Sequence, residues 1–308
     1  MKANMSAPSS EESGHIYTTV GVRLGIDREN EEILAALEDI ASAKSNDEPN
    51  SWSYYSNEDT FIRFLGMTSY YLGLQDNLAR IIKILKPTQI LELGFGTGHS
   101  SVRIAKQNAS SSITAIDLRE KMLPIARALA SRFQLTNINF EMGEMTHYVQ
   151  QDLHKFDFIF LLYNFHHIPD SVNTQNEKKR NAGKLEFLRN CYNNMKDSAY
   201  LCIADLFIPN NDEDIKQLFE HRVNEGYAST FWNGLGSLGA EDISEARRAA
   251  DFCKRNEEQV GIKVVNREHE FPITREWLKK SAREAGFAEV LNENINDVGD
   301  AIMLFQRC

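Results

Sequence analysis

The chain has 308 residues, with 34 lysines and arginines against 44 aspartates and glutamates, and a formal net charge of −10. A chain of this length buries about 75% of its unfolded surface on folding, so its core needs no disulfide or metal staple, and the apolar (42%) and charged (25%) fractions are ordinary for a globular protein. The acidic balance argues against a nucleic-acid partner, which requires a basic face, and no apolar run approaches the ~20 residues of a membrane span.

Residues 1–14 are small, polar and acidic and read as a disordered tail. The first residues include Lys2 but no apolar stretch, so they are not a secretory signal. Cys191, Cys202, Cys253 and Cys308 form no Cys-x-x-Cys pair, which indicates neither a zinc site nor a dithiol motif. The expectation is a cytoplasmic chain with reduced cysteines.

Residues 15–87 read as a helical N-terminal extension. Ile33, Leu34, Ala36, Leu37 and Ile40 recur at helical spacing over 28–44, residues 44–52 form a linker, and a second helical region over about 58–86 stops before Pro87. From residue 88 strand-length apolar runs alternate with amphipathic helices. The runs are Ile90–Leu93, Ser112–Asp117, Ile138–Phe140, Phe156–Leu162 and Tyr200–Asp205. The fourth is apolar except for Asp157, as a strand buried on both faces requires. A stripe of Leu185, Leu188, Cys191, Tyr192 and Met195 marks the helix between the fourth and fifth. Thr274 can cap a later helix that ends at Gly286.

Two last runs, Ala288–Leu291 and Ala301–Phe305, are separated only by a short polar loop, which suits an antiparallel hairpin and not a parallel crossover. The predicted fold is therefore α/β: a Rossmann-like, seven-stranded, mostly parallel sheet over residues 88–308. It carries the N-terminal helical extension, a helical insert at 210–270 after strand five, and a C-terminal antiparallel hairpin. The insert reads either as a lid over a bound ligand or as a helical decoration whose Phe231 and Trp232 pack inward.

Ligands of open α/β sheets sit outside the carboxyl ends of the strands. After strand one comes Gly94-Phe95-Gly96-Thr97-Gly98, preceded by Glu92. Such a loop is either a tight turn or a place where a ligand approaches the main chain. It departs from the Gly-x-Gly-x-x-Gly dinucleotide pattern at His99, and it lacks a Walker lysine. Asp117 ends strand two, where a carboxylate either accepts both ribose hydroxyls or caps the next helix. After strand three, Glu144 could accept from an adenine amino group, with Met122 and Met145 sandwiching the ring or simply packing in the core.

In order along residues 75–308, these segments resemble class I S-adenosylmethionine-dependent methyltransferases. Glu92–Gly98 is similar to the family's first motif, Asp117–Leu123 to the second, and Gly143-Glu144 to the usual Gly-Asp adenine contact. The stretch from Phe156 through His166-His167-Ile168-Pro169-Asp170 resembles the fourth motif of the quinone-biosynthesis-type small-molecule subgroup. The terminal hairpin is also a family trait. The resemblance implies S-adenosylmethionine as cofactor, held by Glu92, Gly94, Gly96, Thr97 and Gly98 in the loop. Asp117, Met122, Glu144, Met145 and Leu161 complete the implied contacts. Other readings are a nicotinamide-dependent oxidoreductase on the same sheet and a catalytically inactive cofactor-binding scaffold.

Within that family, Leu162-Tyr163-Asn164-Phe165 lacks the proline pair of amino-DNA methylases, and no cysteine follows a proline. Catechol-type enzymes hold a divalent cation with carboxylates at the ends of strands four and five; here strand four ends in Leu161-Leu162. The expectation is a metal-free enzyme that methylates a small-molecule acceptor of quinone, lipid or natural-product type, with a homodimer left open. His166 is the candidate base and Tyr163 its positioning partner, while His167 is assigned to the structure of the loop; the alternative is that both histidines are structural.

Overall fold

The computed structural model of the chain describes residues 32–37, 39–40, 69–151, 155–168, 182–223, 258–266, 271–296 and 298–308. The expected tail over 1–14, the linker over 44–52, and Phe231 and Trp232 lie outside the described residues.

Seven strands make one sheet: β1 Gln89–Leu93, β2 Ser112–Asp117, β3 Ile138–Met142, β4 Phe156–Leu162, β5 Met195–Leu206, β6 Phe287–Asn294 and β7 Asp300–Arg307. Their spatial order is β3-β2-β1-β4-β5-β7-β6. The first five pair in parallel, for example Leu91 with Thr114 and with Ile159. β7 runs antiparallel to both β5 and β6, so the hairpin is present and its second arm is wedged beside β5.

The central strands are apolar on both faces because helices cover both. Along β4 the period-two alternation sends Ile159 and Leu161 to one face, and Phe158, Phe160 and Leu162 to the other. On the first face Ile159 and Leu161 join Phe187, Leu188 and Cys191 of α5 (Ala182–Asn194) and Leu278 and Ala282 of α7 (Arg275–Glu284). On the second they join Leu74, Leu78 and Ile82 of α1 (Ser69–Leu85) and Ile104 of α2 (His99–Gln107). A neighbouring cluster packs α3 (Met122–Arg132) against Phe95, Phe140, Ile33 and Leu37. The helical residues around Ile33 thus belong to the same body as the sheet.

Helix ends follow their chemistry. Pro124 sits in the first turn of α3, where its missing N–H costs nothing. Thr274 Oγ1 accepts from Trp277 N at 3.1 Å, and Gly286 follows α7 at φ +103°, as the sequence predicts. Asp157, the one charge in β4, accepts from the backbone N–H groups of Thr88 and Gln89 and pairs with Lys196 at 2.7 Å. Burial pushes its carboxyl up, but these bonds together outweigh burial and hold it below its ordinary range.

The strands run longer than the apolar runs. β5 starts at Met195, which the helical stripe had claimed, and pairs with Phe156 before a bulge at the left-handed Ser198. The insert after β5 begins with α6 (Asp212–His221), capped by Asn211. A later helix over 258–266 packs Val264 on Phe219 of α6.

Candidate active site

At the carboxyl end of β1, Gly94, Gly96 and Gly98 all lie in the left-handed region, at φ +91°, +54° and +81°. At Gly98 a Cβ would stand 2.8 Å from the Cβ of Ala126, so glycine there lets α2 and α3 meet. At Gly96 only an Arg119 terminal nitrogen comes near the place of a Cβ, at 3.6 Å. This glycine therefore offers bare main chain to the cleft. The loop runs directly into α2, whose first-turn amides face it without a side-chain cap.

Three carboxylates lie at the carboxyl ends of β1, β2 and β3, and they do different things. Asp117, 5% exposed, lies beside it: Oδ2 accepts from Gly96 N at 2.7 Å, and Oδ1 from Arg119 N at 2.8 Å. The Arg119 guanidinium also reaches Oδ1, at 3.5 Å through Nε. Glu92, 1% exposed, points beneath the loop and accepts from the hydroxyls of Ser100, at 2.7 Å, and Ser101. Burial drives its carboxyl up to about 7, against the serine hydrogen bonds, with Asp117 adding repulsion. Glu144 caps the one-turn helix α4 (Met145–Tyr148), accepting from the amides of Thr146, at 3.1 Å, and His147, at 2.8 Å.

A second constellation lies past the ends of β4 and β5. His166 stands in a single 3₁₀ turn, Phe165–His167. Its Nδ1 is 2.5 Å from Asp205 Oδ1, and its backbone N donates to Asp205 Oδ2 at 3.1 Å. Asp205 is 1% exposed near the end of β5. Burial pushes its carboxyl up, yet the facing imidazole and the amides of Leu206 and His166 outweigh that and hold it low. An ionised carboxylate at Nδ1 makes that nitrogen the donor, which puts the basic lone pair of the neutral ring on Nε2.

Tyr163 adopts φ +54°, a strained conformation for a tyrosine. Its ring lies 6.4 Å from that of His166 and stacks on Tyr71 of α1 at 6.1 Å. Its hydroxyl bonds buried Asp300, which also takes Arg222 at 3.1 Å and Asn296 at 2.8 Å. Asn164 Nδ2 donates to Gly94 O at 2.8 Å and ties this turn to the glycine loop.

The sheet order separates the functional alternatives. A dinucleotide-binding sheet is parallel in the order 3-2-1-4-5-6. Here the position beside β5 is taken by the antiparallel β7. Residues 84–234 match the family described as "Methyltransferase domain". The chain carries a class I S-adenosylmethionine-dependent methyltransferase domain.

Solved structures share the methyltransferase fold. An O-methyltransferase family protein from Burkholderia thailandensis is 12% identical at a TM-score of 0.51, covering 89% of this chain and 72% of its own. A putative O-methyltransferase from Nostoc punctiforme is 12% identical at 0.51, covering 93% and 72%. The mitomycin 7-O-methyltransferase MmcR is 12% identical at 0.50, covering 98% and 74%. No curated protein is matched by the sequence.

The residues present fit S-adenosylmethionine: the open backbone at Gly96, the buried carboxylate beside it and the uncapped start of α2 form one rim at the carboxyl ends of β1 and β2. Among the predicted residues, Gly94, Gly96, Thr97, Gly98 and Asp117 come together at this rim, and Met145 lies past β3. Four differ from expectation. Met122 is 1% exposed inside the α3 cluster, because the first turn of that helix faces inward, so its thioether packs the core. Leu161 is fully buried under α5, since β4 alternates it away from the site. Glu92 spends its carboxylate on two serines and Glu144 on helix-capping bonds, so both hold the start of the helix that follows their strand.

The residues missed are Asp205, Arg119, Tyr71, Leu118 and Met142. The last two are apolar yet 67% and 42% exposed at the ends of β2 and β3. Among the described residues, no group of three His, Cys, Asp or Glu is placed to hold a metal ion. No helix of the described residues is long and apolar enough to cross a membrane.

Proposed function

We propose that the methyltransferase methylates a small-molecule acceptor carrying a weakly acidic hydroxyl, with His166 as general base. The observation that carries this reading is the 2.5 Å contact between His166 Nδ1 and Asp205. A carboxylate behind an imidazole fixes the tautomer and stabilises the imidazolium formed when Nε2 takes a proton, an arrangement that serves a nucleophile that must lose one. The resemblance of the stretch from Phe156 through His166 to the quinone-biosynthesis-type subgroup supports the same class of acceptor.

When bound, S-adenosylmethionine supplies the electrophilic sulfonium methyl. Asp117 accepts the ribose hydroxyls, and the Gly96 main chain and the α2 amides take the amino-acid end. Leu118 and Met142, rather than the buried Met122, present apolar surface to the purine, with Met145 past the end of β3. His166 receives the acceptor proton at Nε2, and the rings of Tyr163 and Tyr71 form the wall against which a flat acceptor lies. Tyr163 thus positions through its ring, its hydroxyl being bonded to Asp300. The described flanks of the insert stand on the acceptor side, because Ile215, Phe219 and Val264 pack with Leu206 and Tyr163.

His166→Ala tests this reading with a phenolic or quinol acceptor panel and labelled cofactor. Turnover should fall by roughly 10²–10⁴ while cofactor affinity is retained. A fall below about threefold, a small loss for a general base, would place catalysis in proximity alone.

A further inference from the structure

The carboxylate assigned to the cofactor ribose is already engaged. Asp117 Oδ2 holds the Gly96 amide at 2.7 Å, while Oδ1 holds the Arg119 amide at 2.8 Å and the Arg119 guanidinium at 3.5 Å. A carboxylate has about four acceptor positions, so the three donors leave one, on Oδ2. A ribose diol needs two. The two amides belong to the backbone and stay. The guanidinium is the only one of the three donors that can leave, because its side chain is 37% exposed and swings on a flexible stem. The same guanidinium lies 3.6 Å from where a Gly96 side chain would begin, across the bare main chain that the cofactor must approach.

We infer that Arg119 is a tethered competitor of the cofactor: it occupies the second ribose position on Asp117 and is displaced when cofactor binds. The inference rests on the assignment of the ribose to Asp117. Its consequence is an affinity held below what the rim could give, and a side chain ready to take back the carboxylate as the demethylated product leaves. Because cofactor and product carry the same ribose, the competition weakens both by the same factor.

The test is calorimetric titration of S-adenosylmethionine and S-adenosylhomocysteine into the full chain and into Arg119→Met and Asp117→Ala. The contact is long, 3.5 Å, and its arginine side is 37% exposed, so the pair contributes little although Asp117 is buried, and Arg119→Met should tighten both ligands by about two- to fivefold. The gap to the unsubstituted chain should narrow at high salt, which screens the partly exposed guanidinium. If Arg119→Met leaves affinity unchanged or weakens it while Asp117→Ala weakens it strongly, the ribose assignment stands and the competition is overturned. Tightening of the sulfonium ligand alone would also overturn it, since that is charge repulsion and not exchange of a hydrogen-bond position. If Asp117→Ala binds as tightly as the unsubstituted chain, the ribose assignment itself fails and the inference falls with it.

Discussion

Replacing Glu92 with glutamine should stabilise the protein, and mainly on the alkaline side. Burial lifts this carboxyl from 4.5 to about 7, so the folded chain keeps a proton that the unfolded chain loses at lower pH. Stability therefore falls as pH rises from about 4.5 to about 7 and stays lowered above that range. At about 1.4 kcal/mol per pH unit the full loss is about 3 kcal/mol at pH 8, and under about 1 kcal/mol at pH 5. Glutamine is neutral at both. Its carbonyl can accept from one serine, and its amide can donate to the other, because a hydroxyl does both. Urea unfolding of the cofactor-free protein should show Glu92→Gln ahead by about 2–3 kcal/mol at pH 8 and nearly level at pH 5. A variant equally destabilised at both pH values would refute the reasoning, since the cost would then be lost hydrogen bonding and not a buried charge.

Asp205→Asn preserves shape and removes the charge behind His166; kcat should drop by about 10² or more while calorimetric cofactor affinity stays within about twofold, a change of under half a kcal/mol. Arg222→Met leaves the buried Asp300 carboxyl without this cation, among Tyr163 and Asn296, and should cost about 3–5 kcal/mol in denaturant melts, most of it regained by adding Asp300→Asn. Gly98→Ala must clear Ala126 at 2.8 Å from a left-handed backbone, so it should lower stability by about 2 kcal/mol or more and weaken cofactor binding with it. Because the low carboxyl of Asp205 depends on ionisation, its stabilising contact is present above the ordinary carboxylate range and is lost below about pH 4; the Asp205→Asn chain should show a shallower acid limb in thermal melts. Turnover should survive a chelator, since β4 ends in Leu162 and Asp205 already serves His166.

Local pattern was enough for the parallel half of the sheet. Runs such as Phe156–Leu162 and Ser112–Asp117 need only burial on two faces, and burial is written in the residues themselves. The hairpin was legible from its short loop, but the insertion of β7 between β5 and β6 was not, because either arm of an apolar hairpin can meet β5. Site residues divided the same way. Asp117 and the three glycines are fixed by chain neighbours. Met122 and Leu161 turn into core clusters, because proximity to a strand end does not say which face a side chain takes. Asp205 lies 39 residues from His166, and only their shared position past adjacent strand ends pointed to the pair. Tyr71 belongs to a helix with no motif, whereas Leu118 carried a signal that was overlooked: an apolar residue beside Asp117 that fits no core period.

The wedged β7 bears on how the chain is made. Among the described residues, Tyr200–Leu206 of β5 is partnered on its outer side by Asp300–Gln306, almost a hundred positions later in synthesis. Until those residues emerge, a nascent chain has the parallel strands in hand and an unsatisfied ladder along the apolar run Leu201–Ala204. Any premature stop before Asp300 leaves that ladder permanently open, a sticky edge suited to capture by chaperones or by another unfinished chain, so loss of Asp300–Gln306 would be an assembly defect long before it was an enzymatic one.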